Sequence, residues 1–139
     1  MSRNGVLEKL KILVMGLPGS GKTTLADKLG KLTNFTRINA DEIRGLYNDW
    51  DFSYEGRLRQ ATRLKTISDE YSHSITDFVA PTEEIRNIFN ADIIIWMDTV
   101  IKSKYKDTNN LFNFPTNYNY RIKTKEANKW AKLIINELF

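Results

Sequence analysis

Lys11-Ile12-Leu13-Val14-Met15-Gly16-Leu17-Pro18-Gly19-Ser20-Gly21-Lys22-Thr23-Thr24-Leu25-Ala26 is the stretch from which the fold can be read. Lys11 to Met15 is short, apolar and rich in β-formers, and it stops at a glycine, so it reads as a buried strand. Lys22 to Lys31 reads as a helix that sets Leu25, Ala26 and Leu29 on one face. Between them, Gly16 to Thr23 fits the pattern G-x-x-x-x-G-K-[ST] in full. Glycines there let successive backbone N–H groups turn inward around a phosphate, and the start of the helix adds the positive end of its dipole. Gly16, Leu17, Pro18, Gly19, Ser20, Gly21, Lys22, Thr23 and Thr24 are therefore candidate binders of ATP. Lys22 is expected to reach the β- and γ-phosphates, and the Thr23 hydroxyl to ligate Mg²⁺. An incidental Gly-rich turn is the competing reading, and the position between strand and helix argues against it.

Working outward, apolar runs alternate with helical patterns, which predicts an α/β fold with a mostly parallel, five-stranded sheet. Strands are expected at Phe35 to Asn39, Ser74 to Val79, Asp92 to Met97 and Tyr120 to Lys123. The Ile93-Ile94-Ile95-Trp96-Met97 run is apolar on both faces, as in a strand covered on both sides. Helices are expected at Asp41 to Asn48, Tyr54 to Tyr71, Pro81 to Phe89 and Ile101 to Tyr105. A last helix runs from Lys125 to Leu138, with Thr124 as its cap and Ala127, Trp130, Ala131, Ile134, Ile135 and Leu138 as its buried stripe. Lys106 to Asn119 is polar, Asn-rich and interrupted by Pro115, and reads as loop.

The 139 residues amount to one domain, 1–139, with a short lid near 102–119. Hydrophobic residues make up 41% and charged residues 27%, which excludes wholesale disorder and a fibrous fold. The absence of cysteine removes disulfides, thiolate metal sites and a cysteine nucleophile, and a single histidine removes a His-rich metal cage. His73 has a structural reading. No apolar run approaches the ~18–20 residues that span a bilayer. Met1 to Leu10 shows neither an apolar leader core nor a small-residue cleavage site. A soluble, cytoplasmic protein is expected. The net charge of +4 suits an anionic ligand without selecting one.

In a parallel sheet, ligands sit beyond the carboxyl ends of the strands. Asp41, just past the second strand, is thereby placed near the γ-phosphate, where a carboxylate can orient or deprotonate an acceptor hydroxyl. It is equally suited to be a helix N-cap. Arg44, one turn on, can grip an anionic acceptor or be a solvated surface charge. Asp77, at the end of the third strand, is the candidate Mg²⁺-organising carboxylate with Thr23, and Asp98 competes for that role. Arg57 and Arg63, on one face of a helix, are candidates for an anion site. Lys104 and Arg121 are candidates to close over the phosphates. Phe112, Phe114, Tyr118 and Tyr120 can stack on a base or pack the lid to the body.

Gly16 to Ala26 closely resembles the phosphate loop of adenylylsulfate kinases. Asn39-Ala40-Asp41-Glu42-Ile43-Arg44 stands where that family has D-G-D-x-x-R, and Phe52-Ser53 followed by Arg57 stands where it has F-S and then D-R. Asp77-Phe78-Val79-Ala80-Pro81 resembles its F-I-S-P segment, and Trp96-Met97-Asp98-Thr99 its Y-V-D-T strand end. The resemblance covers most of residues 10–105. It implies a nucleotide-kinase-like three-layer sandwich that transfers the γ-phosphoryl of ATP to a hydroxyl. Asp41 would then be catalytic with Lys22, and Arg44, Phe52, Arg57 and Arg63 would contact the acceptor. Asn39 departs from the first Asp of D-G-D, Gln60 to Arg63 align with N-I-R-R with one arginine lost, and Thr82-Glu83 replaces Tyr-Arg. The shortened lid is similar to that of compact phage and bacterial relatives, some of which phosphorylate 5-hydroxymethyluracil in DNA. The implied partners are ATP and a hydroxyl-bearing acceptor, either a small nucleotide or modified DNA, with no membrane. A nucleotide-dependent switch or binding module is the reading from another class.

Overall fold

The computed structural model describes residues 8–139; the absence of a leader read from Met1 to Leu10 falls largely outside them. Five strands form one sheet in the order β2-β3-β1-β4-β5. In chain order they are β1 (Leu10–Met15), β2 (Thr36–Asn39), β3 (His73–Asp77), β4 (Ile93–Met97) and β5 (Tyr120–Ile122). Every pairing is parallel, so the sheet is wholly rather than mostly parallel. The helices are α1 (Lys22–Thr33), α2 (Ala40–Tyr47), α3 (Tyr54–Asp69), α4 (Glu83–Phe89), α5 (Lys106–Leu111) and α6 (Ala127–Leu138).

The period of two in β1 divides the core. Leu10, Ile12 and Val14 face α1 and α6, where they meet Leu25, Leu29, Ala131 and Ile134. Leu13 and Met15 face α3 and α4, against Ala61, Leu64, Ile85 and Phe89. The result is three layers with the sheet in the middle. Lys11, on the second face, is buried because its ammonium reaches Asp69 at 2.7 Å and lies 4.9 Å from the centre of the Phe89 ring.

Several expected boundaries move, each for a local reason. Helix α2 is capped by Asn39, whose Oδ1 accepts from the Glu42 N–H at 3.0 Å, so Asp41 is not the cap. β3 ends at Asp77 rather than Val79, because the chain turns away to bring Ala80 to a φ of 49°. Pro81 precedes α4 instead of opening it, and Thr82 caps the helix. The expected helix at Ile101 to Tyr105 does not form: Ile101 is 98% exposed and has nothing to bury against. Helix α5 forms instead inside the expected loop. Asn109 Oδ1 accepts from the Ser103 N–H at 2.8 Å and closes the turn before the helix, while Thr108 is buried against α3. Thr124 does not cap α6; its hydroxyl accepts from Trp130 Nε1 at 2.8 Å. Among the described residues no helix is long and apolar enough to cross a membrane.

Candidate active site

The loop from Gly16 to Gly21 joins the central strand to α1. A side chain at Gly16 would place its Cβ 2.6 Å from the Met97 carbonyl oxygen and 2.8 Å from Ser20 Oγ, so no larger residue fits. Gly21 holds a φ of 97°, the left-handed conformation that opens the amides at the start of α1. Thr99, beyond β4, pins the loop from behind by donating to the Ser20 carbonyl at 2.6 Å. Ser20 Oγ is buried in the loop and, among the described residues, has no hydrogen-bond partner. Lys22 folds back so that Nζ donates to the Leu17 carbonyl at 3.1 Å. Burial pushes its pKa down, opposed by the nearby Asp77 and Asp41 carboxylates. A carbonyl is a weaker partner for an ammonium group than a phosphate oxygen, so the resting contact is readily exchanged.

Asp77 lies beside this loop and is 2% exposed. Its Oδ2 accepts from the Thr23 hydroxyl at 2.9 Å and from Asn39 Nδ2 at 3.1 Å. Its Oδ1 is paired with Arg37 Nη2 at 2.8 Å. A threonine hydroxyl and a carboxylate are hard oxygen donors of the kind Mg²⁺ takes when phosphates and water supply its other ligands. Asp98, the competing carboxylate, is engaged elsewhere. Its Oδ2 accepts from Arg121 Nε and Nη2 at 2.9 and 2.7 Å, and Arg121 lies over the Trp96 ring.

From the loop a cleft of about 620 Å³ runs across the carboxyl ends of β2 and β3 to α3 and α5. Lys22, Thr23, Asp41, Arg44, Phe52, Arg57 and Asp77 all line it, with Pro18 and Gly19. Gly16, Leu17, Ser20, Gly21 and Thr24 are not on its wall. Asp41 stands in the first turn of α2, and among the described residues its carboxylate makes no hydrogen bond. Arg44 is buried, donates to the carbonyls of Asp49 and Asp51 at 2.8 and 3.2 Å, and lies 4.2 Å from the Phe52 ring centre. Arg57, also buried, donates to the Phe52 carbonyl at 2.9 Å and to Thr108 Oγ1 at 3.0 Å. Burial lowers the pKa of both guanidinium groups. Two cations held in a half-enclosed cleft beside aromatic rings favour an anionic ligand with a flat ring.

Arg63 is not brought to this cleft. It pairs with Asp49 at 2.9 Å, donates to Gln60 Oε1 at 2.8 Å and stacks on Tyr47. The aromatics of residues 112–120 pack to the body: Phe114 and Tyr118 lie against Trp96, Phe112 against Phe114, and the Tyr120 hydroxyl donates to Glu137. Lys104 lies over the Tyr105 ring. His73 packs against Phe35 and pairs with the Ser72 hydroxyl. Sequence reasoning missed Arg37, Trp50, Gln60, Tyr105 and Thr108. Trp50 and Tyr105 gave a signal, as aromatics in polar connections with no periodic face to bury them.

The family model described as adenylylsulphate kinase matches residues 8–112. Among curated proteins none matches this chain. The adenylylsulphate kinase of Mycobacterium tuberculosis, solved with AMPPNP and APS, is 18% identical with a TM-score of 0.78, and the match covers 95% of this chain and 99% of that one. The shikimate kinase of Acinetobacter baumannii, solved with shikimate, is 21% identical with a TM-score of 0.67, covering 94% of each chain. A gluconokinase of Sinorhizobium meliloti is 12% identical with a TM-score of 0.65, covering 96% of this chain and 97% of that one. At these identities the structural likeness speaks to the fold.

Proposed function

The chain belongs to the adenylylsulphate kinase family and is an ATP-dependent phosphotransferase acting on a hydroxyl group, and we propose that its acceptor is an anionic, ring-bearing nucleotide of the adenylylsulfate kind. The observation that carries this reading is the cleft in which Asp41, Arg44, Phe52 and Arg57 stand together beside the phosphate loop. The two arginines bind the acceptor's anionic group, and Phe52, backed by Arg44, offers a face to its ring.

Transfer proceeds in line. The acceptor oxygen bonds to the γ-phosphorus as the bond from that phosphorus to the β,γ-bridging oxygen breaks, ADP leaves, and the acceptor's proton passes to the Asp41 carboxylate. Lys22 and the loop amides hold the phosphate oxygens. Thr23 and Asp77 would hold Mg²⁺, which would offset the charge of the phosphates. Positioning and electrostatics supply the rate, so the protein needs no covalent intermediate. Residues 1–139 act on this reading as one domain with a lid at 102–119, in the cytoplasm.

A second reading is favoured by one observation. Residues 98–139 hold eight Lys and Arg against four Asp and Glu, which accounts for the whole net charge of +4. Tyr105, Asp107 and Thr108 of this segment line the cleft, and its basic side chains lie outside that lining. The backbone phosphates around a hydroxyl-bearing base in DNA, such as 5-hydroxymethyluracil, would suit a segment of that charge. ADP release from Mg-ATP tests both, measured with adenylylsulfate, nucleosides, and DNA with and without the modified base. Stimulation by adenylylsulfate supports the first reading, and stimulation by modified DNA alone replaces it with the second. Slow release that no acceptor changes defeats both in favour of a nucleotide-dependent switch.

A further inference from the structure

Asn39 and Asp77 are register partners at the ends of β2 and β3. The Asn39 amide serves three groups: Oδ1 accepts from the Glu42 N–H at 3.0 Å, and Nδ2 donates to Asp77 Oδ2 at 3.1 Å and, at the longer 3.5 Å, to Thr23 Oγ1. A carboxylate at position 39 would set two negative charges at that separation, and one of them would have to take up a proton. One amide and one carboxylate therefore complement each other here.

The second oxygen of Asp77 belongs to Arg37. From two residues before Asn39, on the same side of β2, its guanidinium pairs with Asp77 Oδ1 at 2.8 Å. Nη1 donates to the Ile75 carbonyl at 2.9 Å and Nε to Asp27 Oδ1 at 3.1 Å, so the group is fixed from three directions. Its stem is confined as well. A Cβ on Gly30 of α1 would lie 2.7 Å from Arg37 Cγ and 3.0 Å from Cδ. A glycine inside a helix is less stable than an alanine there. Gly30 bears that cost where the arginine stem passes.

We infer that Arg37 is a positioning residue for phosphoryl transfer: by holding Oδ1 of Asp77 it turns Oδ2 toward Thr23 and the Mg²⁺ side of the phosphate loop. The inference rests on the function proposed above and adds to it a residue that touches neither nucleotide nor acceptor.

The test is calorimetric titration of the whole chain with AMPPNP, once with Mg²⁺ and once with EDTA. The readout is the gain in affinity that Mg²⁺ confers. Arg37→Met is expected to reduce that gain about tenfold, as loss of an outer-shell partner does, with the EDTA affinity changed by no more than about twofold. Arg37→Lys should restore part of it. Asp77→Asn should lose as much, and adding Arg37→Met to it should cost nothing more, because the arginine acts through that carboxylate. An undiminished gain in Arg37→Met, or losses that multiply in the double variant, would overturn the inference. Should Arg37→Met fail to fold, Gly30→Ala displaces the arginine stem with its charge intact, and an unchanged gain there overturns it equally. A parent protein that binds no nucleotide defeats the kinase reading itself. A parent that gains with Mg²⁺, beside an Arg37→Met variant that gains as much, defeats only the role of Arg37.

Discussion

The Thr23 hydroxyl lies 2.9 Å from Oδ2 of Asp77, so the first turn of α1 and the end of β3 meet at one carboxylate oxygen. The contact links the glycine-rich loop to a strand whose end borders the cleft. Because Asp77 is also tied to β2 through Asn39 and Arg37, three adjacent structural units share one charged group. The carboxylate is thereby fixed to the sheet.

Lys22→Ala removes the one ammonium group on the cleft wall among the described residues. Its resting bond is to a carbonyl of its own loop, so the fold does not depend on it. Phosphoryl transfer is expected to fall more than tenfold, as when a transition-state charge partner is lost, with the thermal melt unchanged. ADP release at saturating acceptor measures this. A rate above a tenth of the parent would sink the assignment of the loop.

Asp41→Asn separates catalysis from capping. Asn39 already caps α2, so the substitution should leave stability within about 0.5 kcal/mol. Loss of a general base lowers kcat by about 10²-fold or more, with nucleotide affinity kept. Steady-state kinetics beside a melting curve decide it. An unchanged kcat would leave Asp41 without a chemical role.

The phosphate loop was legible because its chemistry is local: glycines, lysine and threonine act within one turn of chain. The sheet was legible because β1 and β4 are apolar on both faces. Arg37 was not, since its role depends on which strands lie side by side, and register is invisible in a single chain. Arg63 misled for the same reason. Helical spacing placed it on a face with Arg57, but Asp49, from the preceding connection, draws it away. Helix α5 was hidden because Thr108 is buried by Arg57, 51 positions earlier, and not by any apolar stripe of its own.

Arg57→Met tests how α5 is held. Arg57 bridges the Phe52 carbonyl and Thr108 of α5, and its loss leaves the buried Thr108 hydroxyl without that partner. A cost of about 1–3 kcal/mol in stability is expected from such an orphaned group. Because the same guanidinium lines the cleft, KM for the acceptor should rise more than KM for ATP. Equal rises would assign Arg57 to the fold alone.

Acid should loosen the connection between α2 and α3. Asp49 accepts from Arg59 at 2.8 and 3.0 Å and from Arg63 at 2.9 Å. These bonds, those from Arg59 foremost, hold its carboxyl well below the usual range. Its folded pKa is depressed, so its stabilisation is complete above the unfolded value of about 3.9 and is lost as pH falls through the folded one. Tm of the parent should therefore exceed that of Asp49→Asn most at neutral pH, with the gap closing below about pH 4. A gap independent of pH would mean that the carboxylate's charge is not what stabilises the connection.

The side-by-side placement of Asn39 and Asp77 allows the carboxylate to be moved. Asp77→Asn alone should lower turnover and the affinity gained from Mg²⁺ by about 10- to 100-fold, as loss of a metal-side group does. Adding Asn39→Asp returns a carboxylate to the strand end where the family pattern has one, about one strand spacing away. Aspartate caps a helix as well as asparagine does, so α2 keeps its bond from Glu42. The amide now at 77 can donate to the new carboxylate, the present bond with its direction reversed. Turnover of the double variant should recover at least half of the loss on a logarithmic scale, since the net charge beside Thr23 is restored while Arg37 loses its partner. Kinetics of the parent, the two single variants and the double variant form the cycle. Asn39→Asp alone should be harmful, because it crowds two carboxylates at the meeting of β2 and β3. A double variant no better than Asp77→Asn would show that the site needs its carboxylate on β3, where Arg37 can reach it.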